Sequence, residues 1–145
     1  MVIFRQIKFG SGQYLAARLL RQSVLRTPLG LPLSDDDLHG EESQLHFGLF
    51  NGDDELVACV IAVPDGAAKV RVRQTAVAPE YQRQGMASKM MRELEAKVRA
   101  LGVELVTLHA RQSAIGFYRN LGYEPVGPEF MEVTLPHQKM VKYLV

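Results

Sequence analysis

At 145 residues the chain is the size of one domain built around one core. Hydrophobic residues at 47% and charged residues at 23% exclude a disordered chain or a fibre. Basic residues (17) nearly balance acidic ones (16), and the formal charge of +1 gives no electrostatic reason to seek nucleic acid or an anionic membrane.

From the N-terminus, Val2 to Phe9 roughly alternates apolar and polar residues as a half-buried strand does, and Gly10-Ser11-Gly12 breaks it with a helix cap. Tyr14 to Arg26 then predicts a helix, with Leu15, Leu19, Leu20 and Val24 as its apolar stripe and Pro28, Gly30 and Pro32 ending it. Ser34 to Glu42 is acidic and loop-like, with room for one short helical turn. Leu45 to Phe50 and Leu56 to Val63 flank Asn51-Gly52-Asp53-Asp54, whose residues suit a tight reversal, so this is an antiparallel hairpin. Lys69 to Val77 is a further strand, ending at Ala78-Pro79. Between Gln84 and Leu101, Ala87, Met90, Met91, Leu94, Val98 and Leu101 form one helical stripe, closed by Gly102. Val103 to Leu108 predicts a short strand, Gln112 to Asn120 a helix closed by Leu121-Gly122, and Glu124 to Val145 one or two strands joined by a turn around Pro136.

Cys59 is the only cysteine, which excludes an internal disulfide and a multi-cysteine zinc site and fits a reducing cytoplasm. Within Leu56-Val57-Ala58-Cys59-Val60-Ile61 it reads as a small apolar side chain on a buried strand. Met1 to Gln6 lacks the basic start and apolar run of a signal peptide, and no stretch is long enough to span a bilayer, so a soluble, unexported protein is expected.

The chemistry concentrates between Val77 and Ala87, where a strand ends, turns and opens the long helix through small residues. The first amides of a helix have no internal acceptors and the helix dipole is positive there, so such a turn suits a diphosphate. Gly85 permits close approach and unusual dihedrals, Ala87 keeps the approach open, and Arg83 offers a charge-assisted contact. Taken alone, these residues equally suit a plain strand-to-helix turn. No Gly-x-x-x-x-Gly-Lys-Ser/Thr and no Gly-x-Gly-x-x-Gly follows any predicted strand, which argues against nucleotide hydrolysis and nicotinamide binding.

Gln82-x-x-Gly85-x-Ala87 after Val77-x-Pro79 resembles the acyl-CoA pyrophosphate motif of the GNAT superfamily. The run Ala114-Ile115-Gly116-Phe117-Tyr118-Arg119-Asn120-Leu121-Gly122-Tyr123 resembles the superfamily's later Ala-x-x-Phe-Tyr-x-x-x-Gly-Phe/Tyr helix. The tail from Val126 to Glu132, with Pro136-His137 and Met140, is similar to the ElaA-like branch. The match covers about Val70 to Val145; the first half agrees in element order and in Pro28-Leu29-Gly30-Leu31.

The resemblance implies one GNAT acyltransferase domain over residues 1–145 and an α/β (α+β) fold whose mixed, mostly antiparallel sheet is flanked by helices. It implies an N-acetyltransferase moving an acetyl group from acetyl-CoA directly to an amine, small molecule or peptide, in a ternary complex. The alternative is a non-catalytic acyl-CoA-binding or regulatory domain. Ala76, Val77, Gln82, Arg83, Gln84, Gly85, Met86 and Ala87 are the implied cofactor-binding residues, the strand end meeting the pantetheine arm through its backbone. Arg73 and Gln74, just before it, either face acceptor or cofactor or simply face solvent.

Tyr118 matches the motif's tyrosine, a phenol with reference pKa near ~10 that would protonate the leaving thiolate; otherwise it is a core aromatic beside Phe117. An amine of pKa near ~10 costs on the order of 4 kcal/mol to neutralise at pH 7, so a base is needed. Glu129, Glu132, His109 and His137 are the candidates, each with a plainer reading as a solvated or hydrogen-bonded polar residue. Arg111 stands where many relatives carry an amide, and Val133-Thr134 stands where ElaA-like proteins carry an acidic-Gly pair. His39 and His46 read as surface or loop residues, no metal is implied, and a homodimer is compatible with the sequence.

Overall fold

The computed structural model describes residues Met1–Val145. Its chain order is β1 (Ile3–Ile7), α1 (Gly12–Arg21), α2 (Asp35–Leu38), β2 (Leu45–Phe50), β3 (Leu56–Pro64), β4 (Lys69–Val77), α3 (Met86–Ala100), β5 (Leu105–Arg111), α4 (Ile115–Asn120), β6 (Glu124–Glu132) and β7 (Leu135–Tyr143). The seven strands form one sheet in the order β1-β2-β3-β4-β5-β7-β6, with every neighbouring pair antiparallel except β4 and β5. That parallel pair needs a crossover, and α3 supplies it. The mixed, mostly antiparallel sheet flanked by helices is the expected α/β architecture.

The α3 stripe buries Met90, Met91, Leu94 and Val98 completely against Val57, Ala58, Val60, Val70, Val72, Val106 and Leu108. Each such side chain contributes about 1.5–3 kcal/mol of apolar burial, which makes this layer the main source of stability. The opposite face carries a smaller cluster in which Tyr14 and Ala17 of α1 meet Ile7, Phe50, Cys59 and Ala76. Cys59 is buried there as expected, and burial pushes its thiol up to about 12, so it is unreactive.

Three local expectations need correction, and a fourth, the short helical turn in the acidic segment, is met and gains detail. Helix α1 ends at Arg21, and Gln22–Arg26 continues as a wider π turn. Its buried positions are Tyr14, Ala17 and Arg21, while Leu15 and Leu19 are 55% and 72% exposed, because polar Arg21 enters the protein to meet a carboxylate. The acidic segment contains α2, whose Ser34 cap and Asp37 form a reciprocal capping box, and then a short turn Glu41–Ser43 in which Glu41 is 0% exposed. The C-terminal reversal falls at Val133 and Thr134, both at positive φ (50° and 63°), and Pro136 lies inside β7 opposite Met131. His46, read as a surface or loop residue, is buried in β2, its Nε2 lying 2.8 Å from the Glu41 carbonyl.

Candidate active site

The site begins where the sheet opens. Parallel pairing of β4 with β5 stops at Val72 and Leu108, and β4 continues to Val77. One extra residue in β4 shifts its register against β3 between Cys59 and Ile61, and Gln74 sits there at φ 56°. This bulge bends β4 away from β5 and turns the last residues of the strand toward the start of α3.

A cavity of about 660 Å³ fills the opening. Its wall includes Ala76, Val77, Gln82, Arg83, Gly85, Met86 and Ala87. Gln84 stands apart from it, donating its side-chain amide to the Glu80 carbonyl at 3.0 Å; Gln82 likewise donates to the Val77 carbonyl at 3.0 Å, which fastens the loop to the strand end. Arg83 and Gly85 take positive φ (62° and 78°), and Gly85 caps α3 with no side-chain hydrogen bond to the helix. The first α-helical bond runs from Lys89 N to Gly85 O, so the preceding amides have no helical acceptor. A Cβ on Gly85 would meet nothing within 4 Å. Uncapped amides, the positive helix terminus and open space beside glycine together fit a diphosphate.

A second cavity of about 390 Å³ adjoins it, and the two cavities share Thr75, Ala114 and Tyr118. Tyr118 therefore stands at their junction. Its ring belongs to the main core, edge-on to Phe117 at 4.9 Å and Tyr123 at 5.7 Å, so the core-aromatic reading holds for the ring while the phenol remains available. Burial raises its pKa, and the neighbouring Thr75 hydroxyl only partly opposes this, which keeps the phenol protonated at neutral pH.

Three of the four candidate bases meet in the second cavity. His109 Nδ1 donates to Glu132 Oε1 at 3.0 Å, which leaves Nε2 of a neutral ring as the acceptor. His137, 4% exposed, donates Nδ1 to the Leu135 carbonyl at 2.9 Å and holds Nε2 3.7 Å from the other Glu132 oxygen. Strand pairing causes this meeting, because His137 is opposite Arg111 on β5 and Phe130 on β6, and Phe130 stacks on His137 and meets His109 edge-on. Glu129 stays exposed on β6 and lines neither cavity.

Beneath this site lies a buried charge network that the sequence reading did not anticipate. Glu41 accepts from Tyr14 (2.6 Å to Oε1), from both terminal nitrogens of Arg21, and from Arg73 (3.1 Å to Oε2). Arg21 also donates Nε to Gln74 Oε1 at 2.6 Å, and Arg73 reaches Gln44 Oε1 at 3.1 Å and the Asp37 carbonyl. Arg73 and Gln74 line the smaller cavity while their polar atoms tie the β4 bulge to α1 and to the acidic segment. Burial alone would raise the pKa of Glu41, but the bonds from Arg21, Tyr14 and Arg73 outweigh it and hold the carboxyl below its ordinary range. The available signal was the acidic run itself, placed between two segments that each carry arginine.

A splayed parallel strand pair, a helix N-terminus opening onto the wedge and a tyrosine between two cavities define an acyltransferase-type architecture. Residues 34–144 match the family model described as Acetyltransferase (GNAT) domain, and the chain belongs to that family of acyl-CoA N-acyltransferases. Among solved structures, a candidate N-acetyltransferase from Lactobacillus plantarum superposes with a TM-score of 0.86 at 20% identity, covering 100% of this chain and 98% of the other. Escherichia coli ElaA does so with a TM-score of 0.78 at 24% identity, over 98% of this chain and 99% of its own. At these identities the likeness is one of fold. In sequence, an uncharacterised Bacillus subtilis protein, YyaT, is 31% identical over 72 residues, which is 50% of this chain and about half (49%) of that relative.

Proposed function

We propose that this protein is an N-acetyltransferase that passes the acetyl group of acetyl-CoA directly to an amine held in the same complex. The observation that carries this reading is Tyr118, whose buried phenol stands where the two cavities meet. In it, the amides from Gly85 to Ala87 hold the diphosphate, with Arg83 beside them, and the backbone of Ala76 and Val77 lines the arm that leads to the thioester. The acceptor occupies the smaller cavity.

His109, oriented by Glu132, takes the proton from the acceptor amine. His137 steadies Glu132 from the other side. Amine nitrogen attacks the thioester carbonyl carbon, the C–N bond forms, the C–S bond breaks, Tyr118 gives its proton to the departing sulfur, and the second proton that the nitrogen sheds on becoming an amide replaces the one Tyr118 gave. A binding-only domain would need no donor at the junction and no base cluster facing it. The lone buried Cys59 is compatible with work in a reducing cytoplasm, and a homodimer is compatible with this arrangement.

The test is release of CoA thiol from acetyl-CoA across amino acids, peptides, polyamines and aminoglycosides, with calorimetry of acetyl-CoA binding in parallel. Binding with acceptor-dependent release supports the enzyme. Binding without release to any amine returns the reading to an acyl-CoA sensor.

A further inference from the structure

The charged groups facing the smaller cavity are unequally satisfied. Asp37 is bridged by Arg26 at 3.0 Å and accepts from the Ser34 backbone at 2.9 Å. Arg73 is consumed by Glu41, Gln44 and the Asp37 carbonyl, and Glu132 is shared by the two histidines. Arg71, half-buried, lines the cavity with no ion pair and no side-chain hydrogen bond. Arg111 lines it with a single bond, from Nη2 to the Leu25 carbonyl at 2.8 Å, and no carboxylate. The only carboxylate left without an ionic partner there is Asp36, exposed on α2 at the rim.

Arg71 and Arg111 share one face of the sheet. Arg71 pairs with Thr107, and Arg111 lies two alternate residues further along β5, past His109. The surrounding charges make matters worse for them: burial and then the Arg26 charge lower the pKa of Arg111, and Arg71 in turn acts as a like charge on Arg73. Guanidinium groups withdrawn from water beside other guanidinium groups are costly unless an anion joins them. No carboxylate of the protein pairs with either, Asp36 standing exposed at the rim.

We infer that the acceptor is an amine carrying its own carboxylate, an amino-acid-like molecule whose carboxylate is bound by Arg71 and Arg111 while its nitrogen faces His109 and Tyr118. Two planar donor forks match a carboxylate bidentately, and a polycationic amine would meet two uncompensated like charges. A cavity of about 390 Å³ suits a free small molecule of this kind. The inference rests on the acetyl-transfer reading of the same site.

It is tested without turnover, by calorimetry on the CoA-loaded protein with a panel of N-acetyl amino acids, their primary amides and N-acetyl-O-phosphoethanolamine. The acids should bind at least about tenfold more tightly than their amides, about 1.4 kcal/mol. Arg71→Gln and Arg111→Gln should each shrink that gap. The wild-type comparison stands even where a variant fails to fold. Amides binding as well as acids, the phosphate compound binding tightest, or no acid binding at all would overturn it. Acids that bind while no acetyl transfer is seen to any amino acid sink the enzyme reading and leave the carboxylate site standing. Transfer to polyamines but not amino acids does the reverse.

Discussion

Tyr118 has its ring clamped between Phe117 and Tyr123 and lines both cavities, so Tyr118→Phe keeps the ring packing and removes the hydroxyl with its bond to Thr75. Turnover should fall roughly 10²–10⁴-fold while acetyl-CoA affinity changes little. Unchanged turnover would remove Tyr118 from the chemistry. Glu41 has a different role, since it touches no ligand position and serves three donors at once. Its pKa is lowered in the folded protein, so its stabilisation is complete above the unfolded value near ~4.3 and is lost as pH falls through the folded value. Burial also lowers the pKa of His46, which adds a loss of stability as pH drops below about 6.5. Glu41→Gln should cost about 3–5 kcal/mol at pH 7, read by urea unfolding, and should flatten the acid limb of the stability curve below about pH 4. An unaltered acid limb would show that the depressed carboxyl is elsewhere. Neither residue was legible: a glutamate in an acidic run and a histidine opening a strand look solvated until the fold brings Arg21 and Arg73 around them.

At the scale of elements, α3 was the most legible because its apolar stripe and its burial coincide. Helix α1 is a mixed case: Leu20 and Val24 of the predicted stripe do pack against the smaller cluster, while Leu15 and Leu19 are exposed and Arg21 turns inward to pair with Glu41. The β4 bulge carried no signal in composition, since Gln74 at positive φ is chosen by its bond from Arg21 rather than by its own preference. The start of α3 was legible, and here a prediction belongs to the element as a whole. In Gly85→Glu, a carboxylate is placed in the open space before the helix amides and a side chain is forced to φ 78°. Acetyl-CoA affinity should fall at least about tenfold by calorimetry, with the far-ultraviolet circular dichroism of the wild type retained. Affinity within twofold of wild type would move the diphosphate elsewhere.

Across the whole molecule, the hairpin, the order of the elements and the mixed, mostly antiparallel sheet could be read from the chain, while the number of C-terminal strands could not. The smaller cavity could not, because its walls come from β4, β5, β6, β7 and the acidic segment, which strand pairing rather than sequence proximity assembles. The arginines there are ordinary alternating strand residues until the neighbouring carboxylates prove to be taken.

Beyond Val72 and Leu108, β4 and β5 each present an unzipped inner rim to the wedge between them. A thioester arm with its own amide groups is chemically a short length of backbone, and lying in that wedge it would serve as an interior eighth strand. The unliganded sheet is thus unfinished at its middle, not at its margin, and the donor should act as a thermal stiffener. At a hundredfold excess over its dissociation constant, acetyl-CoA should add about 2.7 kcal/mol to unfolding and slow amide exchange from Thr75 to Val77 ahead of any other strand segment.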